Sequence, residues 1–366
     1  MSAIEKIALT KIKGIGPKYS RLLLAYFGNV ADLFASSTQE LKSIPGLSSA
    51  VIQQIQSKAV FKEAEDELYH IEKHGIDLLW LEDKAYPQRL RHCEDAPLVL
   101  YSYGHADYNK QKVVSIVGTR NATHYGKRII DELLDGISDL DALVVSGLAM
   151  GVDVMAHMGC IHRNICNIAV LGHGLSRIYP AHHRDVSREI IHHGALLTEF
   201  TFNTIPDKNN FPMRNRIIAG LADVTVVVEA GEKGGALITA GLANDYNRDV
   251  CAYPGAVDQL YSAGCNQLIK NNQAHLIRNS QDLLDLMQWH DKQESNKEKG
   301  IQLSLLPDLS EDQRIVHEFL RESDEASVDE IAFHSDWPQS KLAIVLLEME
   351  MAGHIVALPG KVYKNN

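Results

Sequence analysis

Apolar residues along this chain keep three different rhythms. Between residue 113 and about 278, short runs rich in Val, Ile and Leu alternate with amphipathic stretches and glycine-rich loops. The runs at 113–117, 142–146, 168–172, 196–199, 223–229, 249–253 and 275–277 show little polar alternation. That is the signature of strands buried on both faces. With helices between several of them, they predict an α/β, doubly wound, mostly parallel sheet. Ligands of such sheets bind at the carboxyl ends of the strands, near a topological switch point.

The flanks read differently. Residues 1–60 hold two glycine-turn units, LTKIKGIGPKYSRLLLAYFG and LKSIPGLSSAVIQQIQ. In each, a short helix is predicted to run into a hairpin (Gly14-Ile15-Gly16, then Pro45-Gly46-Leu47) and on into a second helix. This is a helix-hairpin-helix pattern, whose hairpin amides and following helix start can hold a backbone phosphate. Lys11, Lys13 and Lys18 surround the first hairpin, whereas the second has only Lys42 and Lys58 nearby and reads as its packing partner. Residues 61–104 read as a Pro-punctuated connector without chemistry of its own. The polar stretch 288–306 reads as a linker. Residues 307–366 predict helices followed by the hairpin GHIVALPGKVYK, a winged-helix order. The expected division is therefore 1–60, 61–104, 105–287, 288–306 and 307–366.

Composition narrows the function. A chain of 366 residues suggests two or three domains, and 45% hydrophobic content suffices for real cores. No apolar run reaches 18 residues and the N-terminus lacks the apolar region of a signal peptide, so neither a span nor a leader is expected. Cysteines at 93, 160, 166, 251 and 265 are odd in number and form no CxxC. They predict a reduced, cytoplasmic protein without zinc site or disulfide framework. The pairs His182–His183 and His192–His193 lack the HExxH context, so no metal is expected. Net charge is −11, yet residues 1–60 are net basic while 301–366 carry 12 acidic against 5 basic residues. Any nucleic-acid site outside the N-terminal segment must be a local cluster in a groove.

The first six predicted strands are each followed by a notable loop. GTRNATHYG places Arg120 at a strand end, and SGLAMGVDVMAH, LGHGLSRIYP, EAGEKGGALITAG and YPGAVDQLYSAGCN follow other strands. The most telling is DKNNFPMRNRIIAGLA, residues 207–222. Lys208 and Phe211 stand ahead of a predicted helix with Pro212 in its first turn. Met213, Ile217 and Leu221 are spaced to face inward, and Arg214 and Arg216 to flank that stripe on opposite sides. An aromatic beside cations at a positive helix end suits stacked bases and phosphates. The same residues also suit a plain loop-to-helix junction with Arg216 in a structural ion pair. No loop has the G-x-x-x-x-G-K-[ST] spacing of an ATPase, and the first lacks GxGxxG. Asp153 and His157, four apart on one helix, could be an acid–base pair, but capping and orienting the glycine loop before them is the preferred reading.

The ordered set GTRxxTxYG, SGLAxGVDxxAH, FPxRNRIIAGLA, VVVEAGEKGGALITA and YPGxxxxxxSAGCNxLI resembles the DNA-processing protein A family (DprA, also Smf) over the whole Rossmann-like sheet domain. The helix-hairpin-helix (SAM-like) and winged-helix flanks match its longer members. The resemblance implies a cofactor-free, non-enzymatic recombination mediator. Such a protein binds and protects single-stranded DNA, dimerises through the sheet domain, and loads the recombinase RecA during natural transformation. Carried onto this chain, it implies that Arg120 and Lys208 hold phosphate and that Phe211 stacks on a base. Gly118, Arg214, Asn215 and Gly235 fall in the same pocket motifs. The commoner S-G-S-L-x-T-A loop here reads GGALITA, which removes two hydroxyls and leaves the backbone amides and Thr239. The alternative is a Rossmann-type nucleotide monophosphate phosphoribohydrolase related to lysine-decarboxylase-like proteins. Its PGGxGTxxE glutamate has no counterpart in EKGGALITAGLA. In the tail, SKLAIVLLEMEMAG sets Lys341 alone against Glu348 and Glu350, which predicts protein contacts rather than duplex DNA for the winged helix.

Overall fold

The computed structural model describes residues 2–289, 309–323, 325–358 and 362–365. The chain divides into two compact units, Met1–Trp289 and His290–Asn366.

The first unit is organised by a nine-stranded sheet: β1 (Asp77–Trp80), β2 (Val99–Gly104), β3 (Lys112–Val117), β4 (Ala142–Ser146), β5 (Cys166–Val170), β6 (Gly194–Thr198), β7 (Val224–Val227), β8 (Asp249–Ala252) and β9 (His275–Leu276). Their order is β1-β2-β6-β5-β4-β3-β7-β8-β9. The seven strands from β6 across to β9 run parallel, and β1 and β2 add an antiparallel edge. The seven expected strands are all present, with ends shifted by a residue or two. The two additional strands come from the stretch read as a connector. β1 is four residues long and pairs only with β2, too short a run to display a period.

Alternation within each strand feeds two cores. Val113 and Val117 of β3 face one layer, with Ile217, Ile218 and Leu221 of the helix Asn210–Leu221. Val114 and Ile116 face the other, with Ile130, Leu133 and Leu134 of the helix His124–Ile137. β4 and β6 are buried throughout, as parallel strands covered on both faces must be.

The N-terminal helices extend the first core. Ile7, Leu9, Leu23, Leu33 and Ile55 are fully buried in it, continuous with Leu100 and Tyr101 of β2. Gly14 and Gly46 adopt φ of +95° and +81°, the left-handed region that lets each hairpin turn tightly. The helices following the hairpins are Pro17–Phe27 and Ser49–Ser57, the second capped by the Ser48 side chain.

The second unit holds the helices Glu311–Ser323, Val328–Ser335 and Gln339–Met351 and a sheet in the order β10 (Ala326–Ser327), β12 (Val362–Asn365), β11 (Ile355–Leu358). Val316, Leu320, Ile331, Leu342, Leu346 and Met349 form its core. The turn expected at 359–361 and the linker expected at 288–306 lie outside the described residues, the latter from 290 on.

Candidate nucleic-acid interface

β3 has β4 on one side and β7 on the other, so the chain leaves the two strands in opposite directions and opens a crevice at their carboxyl ends. A cleft of about 1120 Å³ occupies this place. It is lined by the loops after β3, β4, β5, β6, β7 and β8 and by the starts of the helices Asn210–Leu221 and Gly235–Asp245. Gly118, Arg120, Lys208, Phe211, Arg214, Asn215, Gly235 and Thr239 all lie on its wall.

Arg120 is exposed at the end of a short, well-fastened loop. The Thr119 N–H donates to Glu229 O (2.7 Å), and the buried Glu229 carboxylate accepts from Thr123 N (2.9 Å) and Thr123 Oγ1 (2.6 Å). Thr123 in turn caps the helix His124–Ile137. A side chain at Gly126 would collide with the Glu229 carboxylate, so glycine is required there. Lys208 and Lys233 are exposed on two other loops. Among the described residues, Arg120, Lys208 and Lys233 have no hydrogen-bond or ion-pair partner.

Phe211 lies within the first turn of its helix rather than ahead of it, half-buried. Gly172 sits directly behind the ring, where a Cβ would come within 2.8 Å of Phe211 Cδ1. Tyr179 adjoins the ring from the loop after β5, centroids 5.8 Å apart.

The two arginines expected to flank an inward stripe are both buried instead, and Met213 is exposed. From Arg214 to Leu221 the helix is enclosed on every side, so 3.6-residue spacing no longer separates inside from outside. Arg214 Nη1 donates to Gly147 O (2.6 Å) and to Val170 O, tying the loop after β4 to the end of β5. Burial pulls the Arg214 guanidinium down to about 10, Arg120 pushes the same way and Asp153 opposes. Arg216 pairs with Glu199 and donates to Asp95 O (2.6 Å), the structural ion pair that was the plainer reading. Asp153, its carboxyl pushed up by burial, accepts from Ala149 N (3.3 Å) and so orients the glycine loop. His157 does not cap that loop. Its Nδ1 pairs with Asn167 Oδ1 (2.8 Å), and burial lowers it to about 4.

Asn215 Nδ2 donates to Gly235 O (3.3 Å), and Thr239 Oγ1 donates to the same carbonyl (3.0 Å). Thr239 is 1% exposed, so its hydroxyl is spent on its own helix, while Gly235 presents backbone at that helix start. Lys233 and Tyr179 were not singled out from the sequence. A lysine just ahead of a glycine-rich helix start, and an aromatic in a post-strand loop, were the available signals. Fixed amides, free cations and an aromatic wall can bind a phosphodiester and stack a base. Among the described residues, no group of three or more His, Cys, Asp or Glu is placed to hold a metal ion, and no helix is long and apolar enough to cross a membrane.

Residues 77–288 match the family described as DNA recombination-mediator protein A. Residues 6–59 match the SAM-like helix-hairpin-helix tandem, and 304–361 the DprA winged helix domain. Protein Smf of Synechocystis is 34% identical over 284 residues, covering 76% of this chain and 71% of that protein. The structure of DNA processing protein A from Streptococcus pneumoniae superposes with a TM-score of 0.65 at 30% identity, covering 78% of this chain and 98% of that one. DNA processing protein A from Helicobacter pylori, described with its single-stranded DNA binding mode, gives 0.53 at 29% identity over 58% of this chain and 96% of that one.

Proposed function

The chain belongs to the DNA recombination-mediator protein A family, and on that premise we propose that it binds single-stranded DNA in the switch-point cleft as a mediator of recombination. The observation that carries this reading is the meeting, in one cleft, of three unpaired cations from three loops with an aromatic wall. In it Arg120 and Lys208 take phosphates and Phe211 takes a base. Gly118 and Gly235 bring backbone close to the strand, and Arg214, Asn215 and Thr239 hold the floor on which it lies. Charge and stacking read neither base edges nor grooves, so binding is tolerant of sequence and favours single strands.

The wider role in the proposal is that of a homodimer, formed through the sheet domain, that protects incoming single strands in the cytoplasm and loads RecA onto them during natural transformation. Residues 1–60, 105–287 and 307–366 act in it as separate functional segments. The winged helix serves protein contacts in this scheme. Lys341 is occupied by Asp312 (2.7 Å) and by the Trp337 ring (4.3 Å), while Ile344 and Leu347 are exposed. Removing 301–366 leaves single-strand affinity within about threefold, since a segment with 12 acidic against 5 basic residues repels a phosphate backbone. A folded truncation that has lost binding would refute this.

The direct test of the cleft is fluorescence anisotropy with matched single- and double-stranded oligonucleotides across a salt series. Tighter binding of the single strand is expected, and equal affinity at the same salt would overturn the reading.

A further inference from the structure

The loop after β5 brings a second aromatic to the cleft. Tyr179 is 51% exposed and lies on the cleft wall. Its ring is tilted 36° from that of Phe211, with centroids 5.8 Å apart. A base held between two rings needs about 7 Å, two van der Waals contacts of about 3.5 Å each. Nothing therefore fits between this pair. The two rings form one continuous, bent surface, supplied by loops of different strands.

On the same loop, Ile178 packs inward against Leu148, Leu171 and their neighbours, while Arg177 and Tyr179 on either side of it are exposed. Among the described residues, Arg177 has no hydrogen-bond or ion-pair partner. An unpaired cation a few residues ahead of a cleft aromatic is also what Lys208, on the loop after β6, and the half-buried Phe211, in the helix turn that follows, provide.

We propose that this loop is a second nucleotide subsite: the strand leaves Phe211 across Tyr179, which stacks the next base, and Arg177 holds an adjoining phosphate. The proposal rests on the reading of the cleft as a single-strand site and sets the direction in which the strand leaves it. A polynucleotide offers one base per backbone repeat, so two adjoining rings receive two consecutive bases. Every base has a π-face, and the subsite is therefore tolerant of sequence.

The test compares the parent, Phe211→Ala, Tyr179→Ala, Tyr179→Phe and Arg177→Ala proteins by anisotropy on oligothymidylate across a salt series. Tyr179→Ala is expected to bind about tenfold more weakly with an unchanged salt slope. Tyr179→Phe keeps the ring and stays within about twofold, because stacking needs no hydroxyl. Arg177→Ala flattens the slope by about one unit. Failure of the parent to bind would defeat the proposed function itself. A parent that binds, with Tyr179→Ala within about twofold of it, defeats only the second subsite. A Phe variant as weak as the Ala variant defeats it as well, and so does an unchanged slope for Arg177→Ala. Photocrosslinking of the parent to iodouracil-substituted oligothymidylate settles the case in which Tyr179→Ala melts early. An adduct on Tyr179 upholds the subsite, and adducts confined to other residues overturn it.

Discussion

The glycine hairpin near the N-terminus and the cleft at the switch point are made of the same parts: tight turns ahead of helix starts, with lysines or arginines close by. They use most of those cations in opposite ways. Around the hairpin, Lys6 pairs with Asp83, Lys11 with Glu67 (3.4 Å) and Lys18 with Glu94, and the hairpin amide of Lys13 donates to Gln54 Oε1 (2.9 Å). All three acids belong to residues 61–104, so these three lysines help hold the first segment against the second, while the exposed Lys13 ammonium has no ion-pair partner among the described residues. In the cleft, Arg120, Lys208 and Lys233 pair with no carboxylate among the described residues, and the cleft's buried acid, Asp153, faces the buried Arg214. A cation beside a helix start is available to phosphate only where no carboxylate of the protein reaches it first.

The largest effect that tests this contrast is on stability. Lys11→Met leaves Glu67, 6% exposed, with a buried charge and, among the described residues, only the Phe202 N–H (2.7 Å) to satisfy it. A loss of about 3 kcal/mol is expected from urea denaturation, with single-strand affinity unchanged. A fall in affinity as large as that of Arg120→Ala would erase the distinction between the two regions.

Acid separates them next. His157 is held neutral under the cleft, lowered from 6.5 to about 4. Between those values the unfolded chain binds more protons than the folded one, so stability is present above 6.5 and is lost as pH falls towards 4. The loss is about 3 kcal/mol across that window. Lys18 holds the Glu94 carboxyl below its ordinary value, so that hairpin pair survives the same window. His157→Gln should remove this part of the pH slope in urea titrations; a slope that survives the substitution assigns it to other groups.

Within the cleft, the proposed stacking should outweigh any single charge. Phe211→Ala is expected to cost about 1–3 kcal/mol of single-strand affinity at every salt concentration, with Phe211→Tyr near neutral. A large drop in melting temperature in the Ala variant would instead make the ring a core residue.

The smallest and sharpest comparison is between cations. Arg120→Ala and Lys208→Ala should each flatten the salt dependence of binding by about one unit. Lys18→Ala, whose charge Glu94 already neutralises, should leave both slope and affinity as they were. Equal slopes for all three variants would show that pairing does not govern access to phosphate.

Much of this was readable from residue order. Strands such as Val-Val-Ser-Ile-Val in β3 and Ala-Leu-Val-Val-Ser in β4 announce themselves because burial on both faces permits almost nothing polar. Strands in parallel register also fix that the loops following them meet at one edge of the sheet. Arg120, Lys208 and Phe211 could be placed in a common cleft on that ground. What residue order could not decide was the fate of individual charges. Arg214 and Arg216 are two positions apart in one helix, yet one binds two backbone carbonyls and the other a glutamate. Thr239 turns its hydroxyl to its own helix, and Lys11 and Lys18 are claimed by Glu67 and Glu94, 56 and 76 residues away. Hydrophobic pattern is a property of a chain's local period, whereas a charge is satisfied by whatever lies within a few ångströms of it. Only the folded chain decides which groups those are.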